Sequence, residues 1–508
     1  MTKAPRFSWL AALVIVIALG IVLWPLFHPG FFASDDGEWM VIRLSAFYQS
    51  LAGGQFPVRF LGRLNNSYGY PVANFLYPGF LYIGSMLHLA GMSFPIAVKF
   101  IFGASVAGGT VALYAALRTR FRTTPSLLGT LSFVFAPYLL YDLYHRGSVG
   151  EILAFGAATL VILALTRNLA WVFAPAVGFM IVSHNTTALI VGAAIVFLLA
   201  VHPERLRMLL SGLLGIGMSA FFWLPALVEK NFVRFDAVSV SDPSRYFIDF
   251  EHAGLLGLGT VLALAMTVRR YKQLTRNDRI FFWLTVAGLS LSLTMSFPLW
   301  DIPLLGKLVQ FPYRFMALPV LFGSWVVAFA AEQLKGWRFM LFTGLLAGVW
   351  LMIAVPYLWN VEHVNREEGF YTTNEGTTTV ANEYMPRWVT QIPTRRSVET
   401  LEVVSGDAQL STRTFASENI TVEINAKEVS LIQINKIYYP GWGVTIDNQR
   451  VPIDYRNSFG VMQVDVPKGT HTLAASFRET PFRFSADLVS LASLCIYVVI
   501  FGRRRTHT

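Results

Sequence analysis

The sequence predicts a polytopic α-helical membrane protein with a β-sandwich near its C-terminal end, and three observations carry that prediction. Only 14% of the 508 residues are charged while 54% are hydrophobic, against about a quarter charged in an ordinary soluble chain. The apolar runs are punctuated by short basic clusters that fall on one side of an alternating topology. From 359 to 482 the pattern changes to short alternating runs separated by turn residues, which is the period of half-buried antiparallel strands. The net charge of +10 is divided among clusters between apolar runs, so it points to the lipid bilayer and its headgroups and not to nucleic acid. Cys495 is the only cysteine, which excludes an intramolecular disulfide framework and a Cys-rich metal site.

Lys3 and Arg6 precede the first apolar run, 9–26. Phe31 stands where a cleavage site before Ala33 would need a small residue, so this run reads as an uncleaved anchor with a cytoplasmic N-terminus. The next apolar segment, 75–92, starts at Pro71, Pro78 and Gly79 and makes a poor straight helix. If it crossed, Arg118, Arg120 and Arg122 would lie outside; if it lies flat or re-enters, 96–117 is the second span and that cluster is cytoplasmic, as the positive-inside rule prefers. The remaining spans are 127–141, 152–165, 171–182, 188–201, 208–228, 253–268, 280–297, 315–331, 339–357 and 488–501. That makes about twelve, several below the ~20 residues a lone span needs. Both termini then lie in the cytoplasm, where Arg503, Arg504 and Arg505 close the chain. The expected organisation is a helical part, 1–358, with an outer loop at 27–95; an extracytoplasmic β-rich part, 359–484; and a last helix with a basic tail, 485–508. Within the β-rich part, Ile420-Thr421-Val422-Glu423-Ile424 reads as a strand and Asp447-Asn448-Gln449 as a turn.

The stretch 32–82 holds the densest chemistry. Asp35, Asp36 and Glu38 stand just beyond the first anchor, where ionised carboxylates are costly unless they face water, a cation or an arginine. Arg59, Arg63, Asn65-Asn66-Ser67-Tyr68-Gly69-Tyr70-Pro71 and Tyr77-Pro78-Gly79 follow, as in a folded loop lying on a membrane. The simpler alternative is a solvated loop with an acidic helix cap.

Several motifs in a fixed order and on a common side resemble the superfamily of membrane glycosyltransferases with the C-type (GT-C) fold, to which oligosaccharyltransferase catalytic subunits and protein O-mannosyltransferases belong. They are Asn66-Ser67-Tyr68-Gly69-Tyr70-Pro71 with Tyr77-Pro78, Pro137-Tyr138 with Arg146-Gly147 and Glu151, His184-Asn185, Trp223-Leu224-Pro225-Ala226 with Glu229, and Gln310-Phe311-Pro312-Tyr313-Arg314. Tyr439-Pro440-Gly441-Trp442 and Pro467-Lys468-Gly469-Thr470-His471 resemble the ending of a prokaryotic branch labelled 6-pyruvoyl-tetrahydropterin synthase-related membrane protein. That label carries no enzymatic weight, because the clustered zinc histidines of the soluble enzyme are missing from the sequence.

The resemblance implies a sugar transferred from a polyprenyl-phosphate donor to a glycan, lipid or protein acceptor on the outer face of the cell membrane. A carboxylate must take the acceptor's proton, and the departing phosphate needs cationic or hydrogen-bonding partners. Asp35 or Asp36 is the candidate base. The branch often shows Asp-His where this chain has Asp35-Asp36, which places Asp35 at the family's single acid and leaves the choice open. Arg146, His184 and Arg314 are candidates for the phosphate, with Asn185 beside His184. Glu151 and Glu229 are candidates to orient the acceptor or to hold a divalent cation, Mg or Mn, which prefers oxygen ligands; no cofactor is required outright.

Structural roles compete with each of these. Arg146 suits a snorkelling helix end, His184-Asn185-Thr186 a helix cap, Arg314 a Pro-shaped interfacial turn, and Glu229 a surface pair with Lys230. The rival function is a transporter or flippase of lipid-linked glycans, which would show broken helices in matching halves. A third reading is a scaffold whose outer part binds a partner.

The expected sidedness has a direct test. In a Cys495→Ser background, a cysteine near Arg120 should resist an impermeant thiol reagent in intact cells, and one placed within 389–396 should react. Labelling near Arg120 would show that 75–92 crosses and would invert every later loop.

Overall fold

In the computed structural model the described residues are 8–235, 242–249, 252–376, 382–416 and 418–502. Lys3, Arg6, Arg503, Arg504 and Arg505, on which the expected sidedness of the termini leans, lie outside them. Among the described residues seven helices are long and apolar enough to cross a bilayer: Trp9–Phe27, Phe94–Leu117, Thr123–Arg146, Val149–Thr166, Pro312–Glu332, Gly336–Trp359 and Pro481–Gly502. The expected count of about twelve is not met by length and composition. Gly79–Leu89, Ala170–Ser183, Asn185–Ala200 and Leu258–Val268 are apolar but have 10–17 residues, spanning at most about 25 Å of a hydrocarbon core about 30 Å thick. Gly79–Leu89, of 11 residues, fits the reading of 75–92 as a segment that does not cross.

Two expected spans are interrupted, each for a local reason. The run 208–228 divides into Arg205–Met218 and Ala220–Phe232, bent by 66°. Ser219 at the break bonds back to Ile216 O at 2.9 Å. Pro225 follows within the second half, where it has no N–H to give the carbonyl four residues earlier. That carbonyl, Phe221 O, accepts from Arg59 Nη1 at 2.7 Å instead. The run 127–141 also divides. Thr123–Val134 ends before Pro137, and the chain continues as Pro137–Leu140 and a π-helical turn, Tyr141–Arg146. Helix Ala317–Glu332 is almost wholly buried and packs against Thr123–Val134, Leu258–Val268 and Arg276–Ser292, which makes it the axis of the bundle.

Among the described residues ten strands complete the fold. β1 (Phe31–Phe32) and β2 (His363–Val364) pair antiparallel, tying the first loop to the chain that follows Gly336–Trp359. The others are β3 (Leu401–Ser405), β4 (Ala408–Ala416), β5 (Asn419–Ala426), β6 (Ser430–Ile437), β7 (Trp442–Ile446), β8 (Gln449–Val451), β9 (Val461–Val466) and β10 (Gly469–Phe477). They form a five-stranded sheet, β4-β5-β10-β7-β8, and a three-stranded sheet, β3-β6-β9, antiparallel throughout. Ile420, Val422, Ile424, Val444 and Leu473 from the first sheet share one apolar core with Ile432, Ile434, Met462 and Val464 from the second. Asp447 and Asn448 have positive φ between β7 and β8, the conformation a two-residue hairpin needs.

The sheets are not a separate module, because Phe60 and Phe75 of the first loop lie in the same core. Phe60 stacks on Phe477 and meets Trp442 edge-on, with centroids 5.2 and 5.5 Å apart. Two buried polar joints accompany this contact. Lys436 donates to Gly62 O at 3.1 Å and to Ser67 O at 2.5 Å, while Glu418 accepts from Ser50 Oγ at 2.6 Å and Gly62 N–H at 3.0 Å. Burial pushes the Lys436 ammonium down, to about 8, with Glu418 opposing.

The second joint is Glu229. It is buried and forms a forked pair with Arg483, Nε–Oε1 2.9 Å and Nη2–Oε2 2.8 Å. Tyr439 Oη and Asn74 Nδ2 each donate to its Oε2 at 2.9 Å. One carboxylate thus fastens the broken helix, the first loop, the β-rich part and the last helix. Glu229→Gln leaves the Arg483 guanidinium buried without its counter-charge. Such losses cost about 3–5 kcal/mol, so the variant should show a clearly lower melting temperature in detergent than the parent, while Lys230→Gln should not. Equal melting of the two variants would make Glu229 dispensable.

Candidate active site

The π-helical turn sets the geometry of the site. Its i→i+5 bonding carries Asp142 and Arg146 to the end of the helix, where Gly147 reverses the chain at φ 65° and Val149–Thr166 begins two residues later. The outer loop expected around Arg146 is therefore a two-residue break, and its charged residues are buried rather than solvated. Arg146 Nη1 bonds Asp142 Oδ1 and Glu151 Oε2, the latter at 2.8 Å. Tyr138 Oη donates to Glu151 Oε1 at 2.9 Å, and the guanidinium lies 5.4 Å from the Tyr313 ring centroid. Asp142 Oδ2 is buried with no partner among the described residues.

The acidic loop is bonded onto this knot through the backbone. Asp35 N–H donates to His145 O at 3.0 Å, and Asp36 N–H to Arg146 O at 2.8 Å. A Cβ on Gly147 would stand 2.4 Å from Ser34 Oγ and 2.8 Å from Gly37 N, so only glycine permits both the turn and the approach. The two acids then diverge. Asp35 is largely exposed, 3.5 Å from His145 Nδ1. Asp36 is half-buried at the start of Gly37–Ala52 and close enough to Tyr77 to perturb it: burial first, then Asp36, pushes the Tyr77 hydroxyl's pKa up, while Arg43, Arg146 and Arg314 oppose.

Tyr77 and His184 meet ring to ring, with centroids 4.9 Å apart. His184 Nδ1 accepts from Thr187 N–H at 3.3 Å and lies 2.9 Å from Thr187 Oγ1, so it caps Asn185–Ala200 through its own ring and leaves its other nitrogen, Nε2, as the N–H. Burial pushes the imidazole down, to about 3; Glu151 opposes, and Arg314 and Arg146 reinforce the shift. Asn185 Nδ2 donates to Phe75 O at 3.4 Å, holding the segment that carries Tyr77. Arg314 Nη1 bonds Thr186 Oγ1 at 3.2 Å, Val309 O at 3.1 Å and Gln310 Oε1 at 3.0 Å. None of these is a carboxylate, and Arg314 Nε is buried without a partner among the described residues.

Of the residues expected from sequence, Asp36, Arg146, Glu151, His184 and Arg314 come together, with Asp35 at the rim and Asn185 as a support. Glu229 does not join them; Arg483 takes both its oxygens. Glu151 likewise has both oxygens engaged, Oε1 by Tyr138 and Oε2 by Arg146. No group of three or more His, Cys, Asp or Glu placed to hold a metal occurs among the described residues. Asp142 was not singled out from sequence. Its signal is the i, i+4 spacing to Arg146, which places acid and base on one helical face.

Neither a protein-family model nor a curated protein matches the sequence. Among solved structures, arabinofuranosyltransferase AftD from Mycobacteria is similar over 72% of this chain and 29% of its own, with TM-score 0.51 and 15% identity. The oligosaccharyltransferase of Archaeoglobus fulgidus is similar over 73% and 57%, with TM-score 0.46 and 13% identity. ArnT from Cupriavidus metallidurans, bound to undecaprenyl phosphate, is similar over 71% and 67%, with TM-score 0.44 and 12% identity. The first likeness shows a shared fold over that part of the chain. This chain spans about three tenths of the arabinofuranosyltransferase's length.

Gly150 tests the packing of the site. A Cβ there would stand 2.0 Å from the Tyr77 ring and 2.6 Å from Ser183 O. Gly150→Ala should therefore displace Tyr77 from His184 and destabilise the protein by about 1–3 kcal/mol, read as a fall in melting temperature. An unchanged melting curve would show that Tyr77 is not held there.

Proposed function

We propose that this chain is an integral-membrane glycosyltransferase that moves a sugar from a polyprenyl-phosphate donor to an acceptor hydroxyl at the outer face of the cell membrane. The observation that supports it most is the placement of Asp36. It is a half-buried carboxylate bonded through its backbone to Arg146, beside Tyr77 and the same cluster as Arg314. In this reading the acceptor oxygen attacks the anomeric carbon and the bond from that carbon to the phosphate oxygen breaks. Asp36 takes the hydroxyl proton, and polyprenyl phosphate departs carrying the electron pair. Arg314 meets the developing phosphate charge. It is better suited than Arg146, whose charge is already met by two carboxylates. The His184 N–H is a neutral donor for the same phosphate, and Glu151 orients Arg146 through their bond. The reading prefers Asp36 to Asp35 as the base because Asp35 points to His145 at the exposed rim.

The finer features belong to the same proposal. They are the cytoplasmic termini, the outward β-rich part, spans made up by short and broken helices, and a glycan, lipid or protein acceptor. Kinship with the pterin synthase-labelled branch would add no pterin chemistry. The transporter reading is weaker, because only one bent helix pair occurs among the described residues whereas carriers built from repeats place such breaks in matching halves.

Asp36→Asn keeps the shape and removes the proton-accepting charge. Turnover, measured as release of the lipid phosphate from a panel of polyprenyl-phosphate sugars, should fall at least about a hundredfold with donor binding retained. Asp35→Asn should fall much less. If both variants turned over at the parental rate, the acidic loop would hold no base and the mechanism would fail.

A further inference from the structure

On the far side of the first loop a cavity of about 900 Å³ opens between the loop, the broken helix and Pro481–Gly502; its volume is 920 Å³. Its wall is mostly apolar, with Phe56, Met86, Phe484, Leu491 and Leu494 exposed along it. Leu494 lies about 10 Å along the last helix beyond Asp487, so the apolar wall continues from the polar end over a length that an acyl chain in one leaflet, about 15 Å, covers.

The polar end is not apolar wall continued. Arg478, Glu479 and Asp487 line it. Glu479 and Asp487 both bind one buried guanidinium, Arg59, at 2.9 and 3.2 Å. Two carboxylates on one arginine leave one negative charge over, and Glu479 Oε2 is buried without a hydrogen-bond partner among the described residues. A residual charge on half-buried carboxylates, with an orphan acceptor among them, is stabilised when a cationic donor meets it. Arg478 stands at the same end with an exposed side chain that makes no ion pair among the described residues. The groove therefore offers a site for an ammonium, a site for a phosphate beside it, and an apolar trough leading into the membrane.

We propose that this groove binds a zwitterionic aminophospholipid of the phosphatidylethanolamine type, with its ammonium on Glu479 and Asp487, its phosphate at Arg478 and an acyl chain along Phe484, Leu491 and Leu494. The lipid is a structural ligand at the junction of loop, β-rich part and last helix. It neither takes part in the proposed transfer nor depends on that reading.

The test is native mass spectrometry of the delipidated full-length protein, titrated with phosphatidylethanolamine, phosphatidylcholine and phosphatidylglycerol of identical chains. The ethanolamine lipid should bind at least about tenfold tighter than either, the worth of a charge-assisted hydrogen bond. The choline headgroup cannot donate one, and the glycerol headgroup has no cation. Leu491→Trp fills the trough without touching the charges and should lose that binding at least about tenfold while keeping the parental melting temperature. Equal binding of the choline lipid, or tighter binding of the glycerol lipid, would overturn the assignment. Unchanged binding by a folded Leu491→Trp would place the lipid elsewhere. Displacement of the ethanolamine lipid by stoichiometric undecaprenyl phosphate would make the groove a prenyl-chain slot and equally overturn it.

Discussion

A guanidinium removed from water must be met by carboxylates or it unfolds its surroundings, and this structure is assembled around three such encounters. Arg59, Arg146 and Arg483 are each at most 7% exposed. Their acidic partners come from different parts of the chain. Glu479 and Asp487 reach Arg59 from the far end of the sequence, Glu229 reaches Arg483 from the broken helix, and Asp142 and Glu151 close on Arg146 across a helix break. Breaking such a pair costs more than replacing it by apolar packing would, so each is better understood as fixing an arrangement than as adding stability. The first two attach the β-rich part and the last helix to the first loop. The third shapes the floor of the candidate site.

The attachments have a consequence for the site. Tyr77 lies three residues beyond Asn74, which donates to Glu229, and its backbone support comes from Asn185 through Phe75 O. The loop is thus held at one end by the clasp under the sheets and at the other by the Arg146 knot, to which Asp35 and Asp36 are bonded through the backbone. A base must be positioned within about 3 Å of its proton to work. Attachment at both ends lets a loop, ordinarily the least rigid part of a fold, meet that demand.

What the sequence made legible divides along physical lines. The period-two runs, the Asp447-Asn448 turn and the shortness of the 79–89 helix were readable because strand alternation and proline placement are local properties. So was the convergence of Arg146, Glu151, His184 and Arg314, through motif order. The helix count was not. The bend at Ser219 accompanies a carbonyl partner far off in the chain, Phe221 O on Arg59, and four apolar helices fall short of the length of a span. Glu229 was misplaced for a similar reason: its neighbour Lys230 is visible in sequence, whereas Arg483 lies 254 positions away. Asp142 passed unnoticed because an acid inside an apolar run looks like an anomaly until its arginine, one turn on, is read with it.

Within the proposed reaction, the partners of each arginine bear on the roles more than proximity does. Arg146 is already bonded to Asp142 and Glu151, so a donor phosphate drawn to it would meet two carboxyl groups behind one guanidinium. Arg314 instead spends its hydrogen bonds on neutral oxygens and keeps its full positive charge. A phosphate settles where positive potential is uncompensated, and in the proposed reaction that place is Arg314 with the neutral His184 donor. In the proposed reaction the knot serves the acidic loop through position. Asp35 and Asp36 are bonded through their N–H groups to His145 O and Arg146 O, so the arrangement that fixes Arg146 also fixes where the loop's acid meets the acceptor hydroxyl.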